Sequence, residues 1–316
     1  MTLADLAASP WALPLQAMRI LAFAWGAIWG SFLNVVIHRV PRDLSVVRPG
    51  SSCPACGRPI RALDNLPVLS WLFLRGRARC CGVRISPRYP LVEMLGGALS
   101  LAILEGVVRS LSPETTLAGA ASVYLADLAL ALALVAAGFI DAEHMYLPDT
   151  ITLGGTLFGL ATPALRGLTW REAAFGAAVG FVGVWLPFIV GYKALRGRPG
   201  MGLGDAKLVM LAGAWFGWRG VVFAVFAGAI QASLAAAVVL AVRGKIEEPE
   251  SVVRDREELQ RAAAGGDEEA RRLLEEDPLG TAPAEGILAA RLPFGPFLCC
   301  AIIEWMLAGR LVEGWL

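Results

Sequence analysis

The chain has 316 residues, of which 56% are hydrophobic and 17% are charged, and its mean hydropathy is +0.60. Soluble domains are about 45–50% apolar and about 25% charged. The composition therefore excludes an ordinary soluble protein and indicates a chain that crosses a membrane several times. The formal net charge of +1 does not point to a nucleic-acid partner, and we expect none.

Eight apolar segments are candidates for membrane-spanning helices, which need about 20 apolar residues. The sixth is short and contains Gly213 and Gly217. The first continues past Ala22-Phe23-Ala24, so we interpret it as a retained span and not as a cleaved signal. The sequence predicts an all-α polytopic membrane protein with about eight transmembrane helices. The segments are residues 16–37, 90–108, 117–140, 149–165, 173–194, 206–218, 220–242 and 293–313.

Basic residues are distributed unevenly between the two sides of these spans. Ten arginines lie between residues 38 and 89, and Lys193, Lys207 and Lys245 fall on the same side. Cytoplasmic loops carry an excess of Lys and Arg. We therefore place segment 38–89 in the cytoplasm and both termini on the opposite side.

Residues 244–286 differ from the rest of the chain because they are rich in Glu, Asp and Arg. Gly265-Gly266 divides them into two predicted short helices, with Asp267 as the N-cap of the second. We interpret them as a solvated cytoplasmic insertion, with a docking site for a partner as the alternative. The predicted organisation is a first membrane span at 1–37, a cytoplasmic cysteine-containing domain at 38–89, a membrane catalytic core at 90–243, the charged insertion at 244–286 and a last membrane span at 287–316.

Two aspartates lie at the cytoplasmic ends of predicted spans. Asp141 ends the third span in GFIDAEHMYLPD, and Asp205 opens the sixth in GMGLGDAKL. Acids at membrane depth usually face a cavity or a partner, and their shared level allows these two to meet. Two carboxylates held close do not both ionise readily, so one keeps a proton and the pair can activate water against a carbonyl carbon. This pattern predicts an aspartic peptidase with Asp141 and Asp205 as catalytic residues.

The residues around Asp205 are candidates for positioning a substrate. Gly202 and Gly204 leave the backbone bare, so an extended peptide has room to lie against it. We interpret Lys207 as a marker of the cytoplasmic boundary, with pairing to a carboxylate as the alternative.

Three further acids at the same cytoplasmic level are weaker candidates for positioning a substrate. Asp149 follows Pro148 at a position typical of a helix N-cap, an interpretation that we favour over a role in the reaction. Glu93 begins the second span, and Glu143 lies in the turn after Asp141. Each is either a positioning group or an ordinary interfacial charge.

Four of the six cysteines lie in the polar segment 38–89. Cys53 and Cys56 have the spacing of one half of a zinc ribbon, and Cys80 and Cys81 form a second pair. The pattern favours a metal in a reducing compartment over disulfides. A metal-free loop held by its own packing is the alternative.

Seven sequence blocks resemble the type IV prepilin peptidases in order and spacing, and they cover nearly the whole chain apart from 244–286. The GxGD block alone is a weak signal, whereas the ordered set is specific. The blocks are GSFLNVVIHRVP (30–41), CPACGRPI (53–60), DNLPVLSWL (64–72), ISPRYPLVE (85–93), GFIDAEHMYLPD (138–149), GMGLGDAKL (200–208) and LPFGPFL (292–298).

The resemblance implies a bacterial inner-membrane enzyme with two activities and an active site that faces the cytoplasm. It implies cleavage of the basic leader from prepilins and pseudopilins, followed by methylation of the new N-terminal residue with S-adenosylmethionine. It matches Asp141 and Asp205 to the family's two catalytic aspartates and Gly76 to a glycine that matters for methylation. The partners that it implies are these substrates and the lipid bilayer, in type IV pilus assembly or type II secretion.

The second cysteine pair departs from the family pattern, which has C-x-x-C twice. Cys81 matches the last cysteine, Ala78 stands at the position of its partner, and Cys80 is displaced by two residues. We expect zinc on Cys53, Cys56, Cys80 and Cys81. A peptidase that has lost methylation through this change is the alternative to the two-activity enzyme. A membrane transporter or scaffold, whose acids move protons or fix helix packing, is the alternative from another class.

Overall fold

The computed structural model describes residues 2–8, 14–53, 55–197, 199–276, 279–280 and 291–312. The ends of the predicted insertion and last span, at 277–278, 281–290 and 313–316, lie outside these residues. The described chain consists of helices and isolated bridges, which confirms the predicted all-α class. Its α-helices are α1 (Leu3–Ala8), α2 (Leu15–Arg39), α3 (Leu69–Phe73), α4 (Arg88–Ser110), α5 (Leu117–His144), α6 (Asp149–Ala161), α7 (Trp170–Val184), α8 (Tyr192–Arg196), α9 (Leu203–Arg243), α10 (Glu250–Ala264), α11 (Glu268–Glu276) and α12 (Gly295–Val312).

Five helical segments of the described chain are long and apolar enough to cross a membrane, so the chain is a multi-pass membrane protein. The predicted count of eight spans is not confirmed. The predicted spans 206–218 and 220–242 both lie in α9, which Gly217 divides into two helical segments through its non-helical backbone angles (φ 66°, ψ −171°). The predicted span 149–165 forms α6, whose 13 residues are too short for a hydrocarbon core of about 30 Å. The five segments are Leu15–Arg42, Arg88–Ser110, Leu117–His144, Trp170–Arg196 and Leu203–Arg243.

Glycines bring the helices into backbone contact on both sides of the molecule. A Cβ at Gly26 of α2 would lie 2.2 Å from the carbonyl oxygen of Gly96 in α4. A Cβ at Gly213 of α9 would lie 2.0 Å from the carbonyl oxygen of Gly176 in α7. Close approach at small residues is a common basis of helix association in membranes, because it adds dispersion contacts that lipid does not replace.

Two clusters of buried apolar side chains fill the space between the helices. One surrounds α9, where Trp215 is buried and its Nε1 donates to the carbonyl oxygen of Gly155 in α6, at 2.8 Å. The other lies between α2, α4 and α5 and includes Ile37, Val92 and Ile140. The C-terminal half of α5 borders both clusters, so its position is fixed from two sides.

The charged insertion forms α10 and α11. The break after α10 falls at Gly265-Gly266, as predicted. Asp267 Oδ1 accepts from the N–H groups of Glu269 and Ala270, at 3.0 and 3.1 Å, which confirms the predicted N-cap. The insertion contacts the end of α5 through Ser251, whose hydroxyl donates to the carbonyl oxygen of Glu143.

Candidate active site

Asp141 lies in the last turn of α5. The helix ends at Met145, which adopts a left-handed conformation (φ 50°, ψ 40°) and donates its N–H to the carbonyl oxygen of Asp141. The Asp141 side chain is buried, and its Oδ2 accepts from the N–H of Gly295 at the start of α12, at 2.9 Å. Asp141 is therefore held by a helix that lies more than 150 residues further along the chain.

Asp205 lies in the first turn of α9. Its Oδ2 accepts from the N–H of Gly202, at 3.2 Å, and Gly202 is extended (φ −73°, ψ 149°). A carboxylate here satisfies a backbone donor that the helix leaves unpaired, and the helix dipole favours a negative charge at this end. The side chain of Asp205 is only 9% exposed. Local helix chemistry therefore accounts for its orientation.

The two carboxylates meet at the junction of α5, α9 and α12. Asp205 lies within electrostatic range of Asp141. Cys299, buried in α12, lies within range of both carboxylates. The structure thus brings together the two aspartates selected from the sequence. Each has one oxygen held by a backbone N–H, and the described residues give no hydrogen bond to either Oδ1.

Gly202 and Gly204, which were both predicted to leave room for a substrate, have different surroundings in the structure. A Cβ at Gly204 would lie 3.0 Å from Leu147 Cβ, so this glycine faces the connection between α5 and α6 and not an open surface. At Gly202 the nearest atom to such a Cβ is Asp205 Oδ2, at 3.4 Å, so Gly202 remains open to a substrate. The two glycines therefore have different neighbours.

Lys207 and Asp149 form an ion pair between α9 and α6. Lys207 Nζ lies 2.6 and 2.9 Å from the two carboxylate oxygens of Asp149. The preferred interpretation of Lys207 as only a boundary marker is wrong, because it pairs with a carboxylate. The N-cap prediction for Asp149 is also wrong, since Pro148 is the N-cap and Asp149 is the first residue of α6.

Glu93 and Glu143 each contact a residue from another part of the chain. Glu93 is buried in α4, and its Oε2 accepts from the N–H of Val68 at 2.6 Å. Glu143 forms a salt bridge with Arg88 at the start of α4. These contacts give both acids a structural partner. Their predicted role in positioning a substrate remains a prediction.

Gly295 is a residue of the site to which the sequence analysis assigned no role. A Cβ at this position would lie 2.6 Å from Asp141 Oδ2, closer than real Cβ contacts allow. Only glycine therefore permits the observed hydrogen bond to Asp141. The available signal was the Gly-Pro pair at the start of the apolar run LPFGPFL, where Pro is favourable in the first helical turn.

The four clustered cysteines come from two turns with the same backbone pattern. In the first turn the N–H of Gly57 donates to the carbonyl oxygen of Cys53, at 2.9 Å. In the second turn the N–H of Gly82 donates to the carbonyl oxygen of Ala78, at 2.8 Å. Both glycines have positive φ, 68° and 73°. Ala78 therefore occupies the position of Cys53, in agreement with the expected spacing.

Cys80 supplies the thiol that Ala78 lacks. The Sγ–Sγ distances are 3.6 Å for Cys53 and Cys81, 3.4 Å for Cys56 and Cys80, and 3.8 Å for Cys80 and Cys81. All four Sγ atoms lie within 4.8 Å of one another. Thiolates bound to one tetrahedral zinc at about 2.3 Å are about 3.8 Å apart. The four predicted ligands thus have the geometry and donor chemistry that zinc requires.

Hydrogen bonds shift the pKa values of these thiols in opposite directions. The backbone N–H groups of Cys56 and Ala55 lower the pKa of Cys53 to about 6. Hydrogen bonds with the thiols of Cys56 and Cys53 raise the pKa of Cys80 to about 12. Metals bind thiolates, so Cys53 is the thiol that is best prepared for a metal.

Gly76 lies between α3 and α4, just before the second cysteine turn. It is buried and has a positive φ of 67°. A Cβ there would lie 3.0 Å from the Trp71 ring. Gly76 lines a surface groove with Trp71, Ile85 and Pro87. The turn and the contact with Trp71 both require glycine here.

Comparisons with known proteins agree with these features. The model of the bacterial peptidase A24 N-terminal domain matches residues 24–106, and that of the type IV leader peptidase family matches residues 128–239. Three similar proteins are each named prepilin leader peptidase/N-methyltransferase. The Myxococcus xanthus protein is 40% identical over 229 residues, which cover 72% of this chain and 64% of that protein. Those of Aeromonas hydrophila and Klebsiella pneumoniae are both 41% identical, covering 63% and 62% of this chain and 73% and 84% of theirs. No solved structure matches the chain.

Proposed function

The chain belongs to the type IV leader peptidase family, and on that premise we propose that it cleaves type IV prepilin leaders and methylates the released amine. Two buried carboxylates within electrostatic range of each other, on α5 and α9, are the observation that supports the peptidase activity. Asp141 and Asp205 are its catalytic residues. The names of the similar proteins include both activities, which supports the same two activities here.

Hydrolysis requires one ionised and one protonated carboxyl group in the pair. The ionised group removes a proton from water, and the protonated group donates a hydrogen bond to the oxygen of the scissile carbonyl. The water oxygen bonds to the carbonyl carbon, the C–N bond breaks, and the leaving nitrogen takes a proton from the pair. The N–H groups of Gly295 and Gly202 hold Oδ2 of Asp141 and Asp205, which leaves Oδ1 of each for water and peptide.

The reaction takes place at the cytoplasmic face of the bacterial inner membrane. The excess of arginine in segment 38–89 supports an orientation with the end of α5 and the start of α9 on that side. A leader that stays in the cytoplasm, followed by an apolar stem in the bilayer, brings its scissile bond to this level. The peptide lies against the open side of Gly202 in an extended conformation.

Methylation uses S-adenosylmethionine, which supplies a methyl group on a positively charged sulfur. We place the cofactor at the groove beside Trp71 and Gly76, where an aromatic surface meets bare backbone. Arg75, Arg77 and Arg84 also line this groove. We assign Gly76 to the methyltransfer site. We expect Gly76→Ala to lower methyl incorporation while cleavage continues. An equal loss of both activities in Gly76→Ala would contradict that assignment.

Zinc has a structural role in the proposed enzyme. Cys53, Cys56, Cys80 and Cys81 would hold one ion and so join the two cysteine turns. Segment 38–89 has little other internal support, and metal binding supplies folding free energy to small domains of this kind.

Cleavage of a prepilin in proteoliposomes tests the peptidase assignment. We expect Asp141→Asn and Asp205→Asn each to reduce the initial rate by about 10²–10⁴-fold, the usual contribution of a positioned acid or base. Asp127→Asn is the matched control, because it removes a charge from α5 about 21 Å away from Asp141. Full cleavage by either catalytic variant would contradict the assignment and favour a transporter or scaffold.

A further inference from the structure

The cytoplasmic segment between α2 and α4 exposes large apolar side chains around α3. Phe73 and Leu63 are 81% and 77% exposed, and Leu72 is 57% exposed. Leu69, Leu72 and Phe73 are spaced i, i+3 and i+4, so they share one face of α3. Exposed apolar patches of this kind mark interaction sites. The α3 surface consists of Leu63, Leu66, Leu69, Leu72 and Phe73.

Two hydrogen bonds fasten α3 beside the membrane helices. The N–H of Val68, next to the start of α3, donates to Glu93 in the second turn of α4. Glu93 packs closely on α2, since a Cβ at Gly30 would lie 2.8 Å from Glu93 Cα. Trp71 Nε1 donates to the carbonyl oxygen of Ile85, three residues before α4, at 3.1 Å. The α3 surface therefore lies where α2 and α4 leave the bilayer.

The chain that follows α3 is positively charged. Arg75, Arg77 and Arg84 are exposed and form no salt bridge with any residue that the structure describes. The acid in this part of the chain, Asp64, accepts from Arg79 through both oxygens, at 2.9 and 3.0 Å. The three arginines thus retain their charge for an anionic partner.

We propose that the α3 surface docks on the cytoplasmic leaflet and that Arg75, Arg77 and Arg84 bind the phosphates of anionic phospholipids. An apolar face with adjacent basic residues is the pattern of a segment that lies in the membrane interface. Anionic headgroups attract basic residues that flank membrane helices. The position beside α2 and α4 makes the bilayer of this same protein the occupant, and docking holds the cysteine turns at the membrane surface.

Hydrogen exchange of the full chain in nanodiscs tests this docking. Nanodiscs of phosphatidylcholine alone are compared with nanodiscs that also contain phosphatidylglycerol. We expect amides of residues 68–77 to exchange about tenfold more slowly with the anionic lipid. The variant Arg75→Gln/Arg77→Gln/Arg84→Gln, whose exposed side chains also line the groove beside Gly76, should lose this difference. The control Arg254→Gln/Arg261→Gln, in α10, should retain it.

A second variant tests the apolar part of the surface. Leu72→Ser/Phe73→Ser should speed exchange of the same amides in both kinds of nanodisc, while α4 and α5 exchange as in the unchanged protein. Equal exchange of 68–77 in the two lipids would overturn the proposal. Protection that arises only when a prepilin is added would also overturn it, because the surface would then bind substrate.

Discussion

The membrane helices and segment 43–86, which lies between α2 and α4, are stabilised by different kinds of contact. Backbone approach at glycines such as Gly176 and Gly213, together with two buried clusters, fixes the helices. Segment 43–86 depends on four thiols and on single hydrogen bonds from Val68 and Trp71. Helix packing therefore positions the carboxylate pair. The conformation of segment 43–86 depends on a few contacts, each of which a single substitution or a chelator can remove.

Outside the two aspartates, Gly295→Ala should produce the largest effect, because it disturbs helix packing at the pair itself. The new Cβ would lie 2.6 Å from Asp141 Oδ2, so Asp141 or α12 must shift. A displacement of about 1 Å at a catalytic group costs about 100-fold in rate, and we expect this loss in initial-rate measurements. Gly106→Ala is the control, since a Cβ there meets nothing within 4 Å. A full rate for Gly295→Ala would contradict the role of close packing.

Removal of the metal should disorder the segment and leave the helices intact. We expect chelation, or Cys80→Ser, to remove zinc and to speed hydrogen exchange in 50–84 about tenfold or more. Cleavage should stay within about threefold of the starting rate, because neither aspartate depends on these thiols. Metal analysis and exchange provide the readouts. A collapse of cleavage together with zinc loss would show that the two regions are not independent.

Moving one thiol should preserve the metal site. Ala78 and Cys53 occupy equivalent positions in the two turns. We therefore expect Ala78→Cys/Cys80→Ala to bind one zinc per chain, because the regular spacing provides four ligands at turn positions. Cys80→Ala alone is the matched comparison and should bind zinc at least about tenfold more weakly. Failure of the double variant to bind zinc would mean that the second turn is shaped by Cys80 itself.

The ion pair between Lys207 and Asp149 should contribute least. The Asp149 side chain is 56% exposed, and exposed ion pairs contribute about 0–1 kcal/mol. We expect Lys207→Gln to change the cleavage rate by no more than about twofold and the melting temperature only slightly. Lys245→Gln, which removes another exposed pair, is the control. A large loss of cleavage in Lys207→Gln alone would instead place Lys207 in substrate binding.

The sequence predicted the helical class and the pairing of Asp141 with Asp205, because membrane level limits which acids can meet. It also predicted two segments that meet near Gly217, where α9 has non-helical backbone angles. The sequence did not predict the short length of α6, because apolar residues continue past the end of this helix at Ala161.

Contacts between distant segments account for the other differences. The partners of Asp149 and Glu93 are Lys207 and Val68, and neither pair is apparent from local sequence. Gly295 was missed for the same reason, since its requirement for glycine arises from a carboxylate on another helix. The cysteine turns were closer to prediction because their spacing is local.

A double-mutant comparison tests the central claim that Asp141 and Asp205 act as one unit. Initial rates of prepilin cleavage in proteoliposomes are compared for Asp141→Asn, Asp205→Asn and the double variant, with product detected by mass spectrometry. Substitutions of residues that act together have strongly non-additive effects on the rate. We therefore expect the double variant to be no slower than the slower single variant. Losses that multiply in the double variant, or a single variant with full activity, would contradict it.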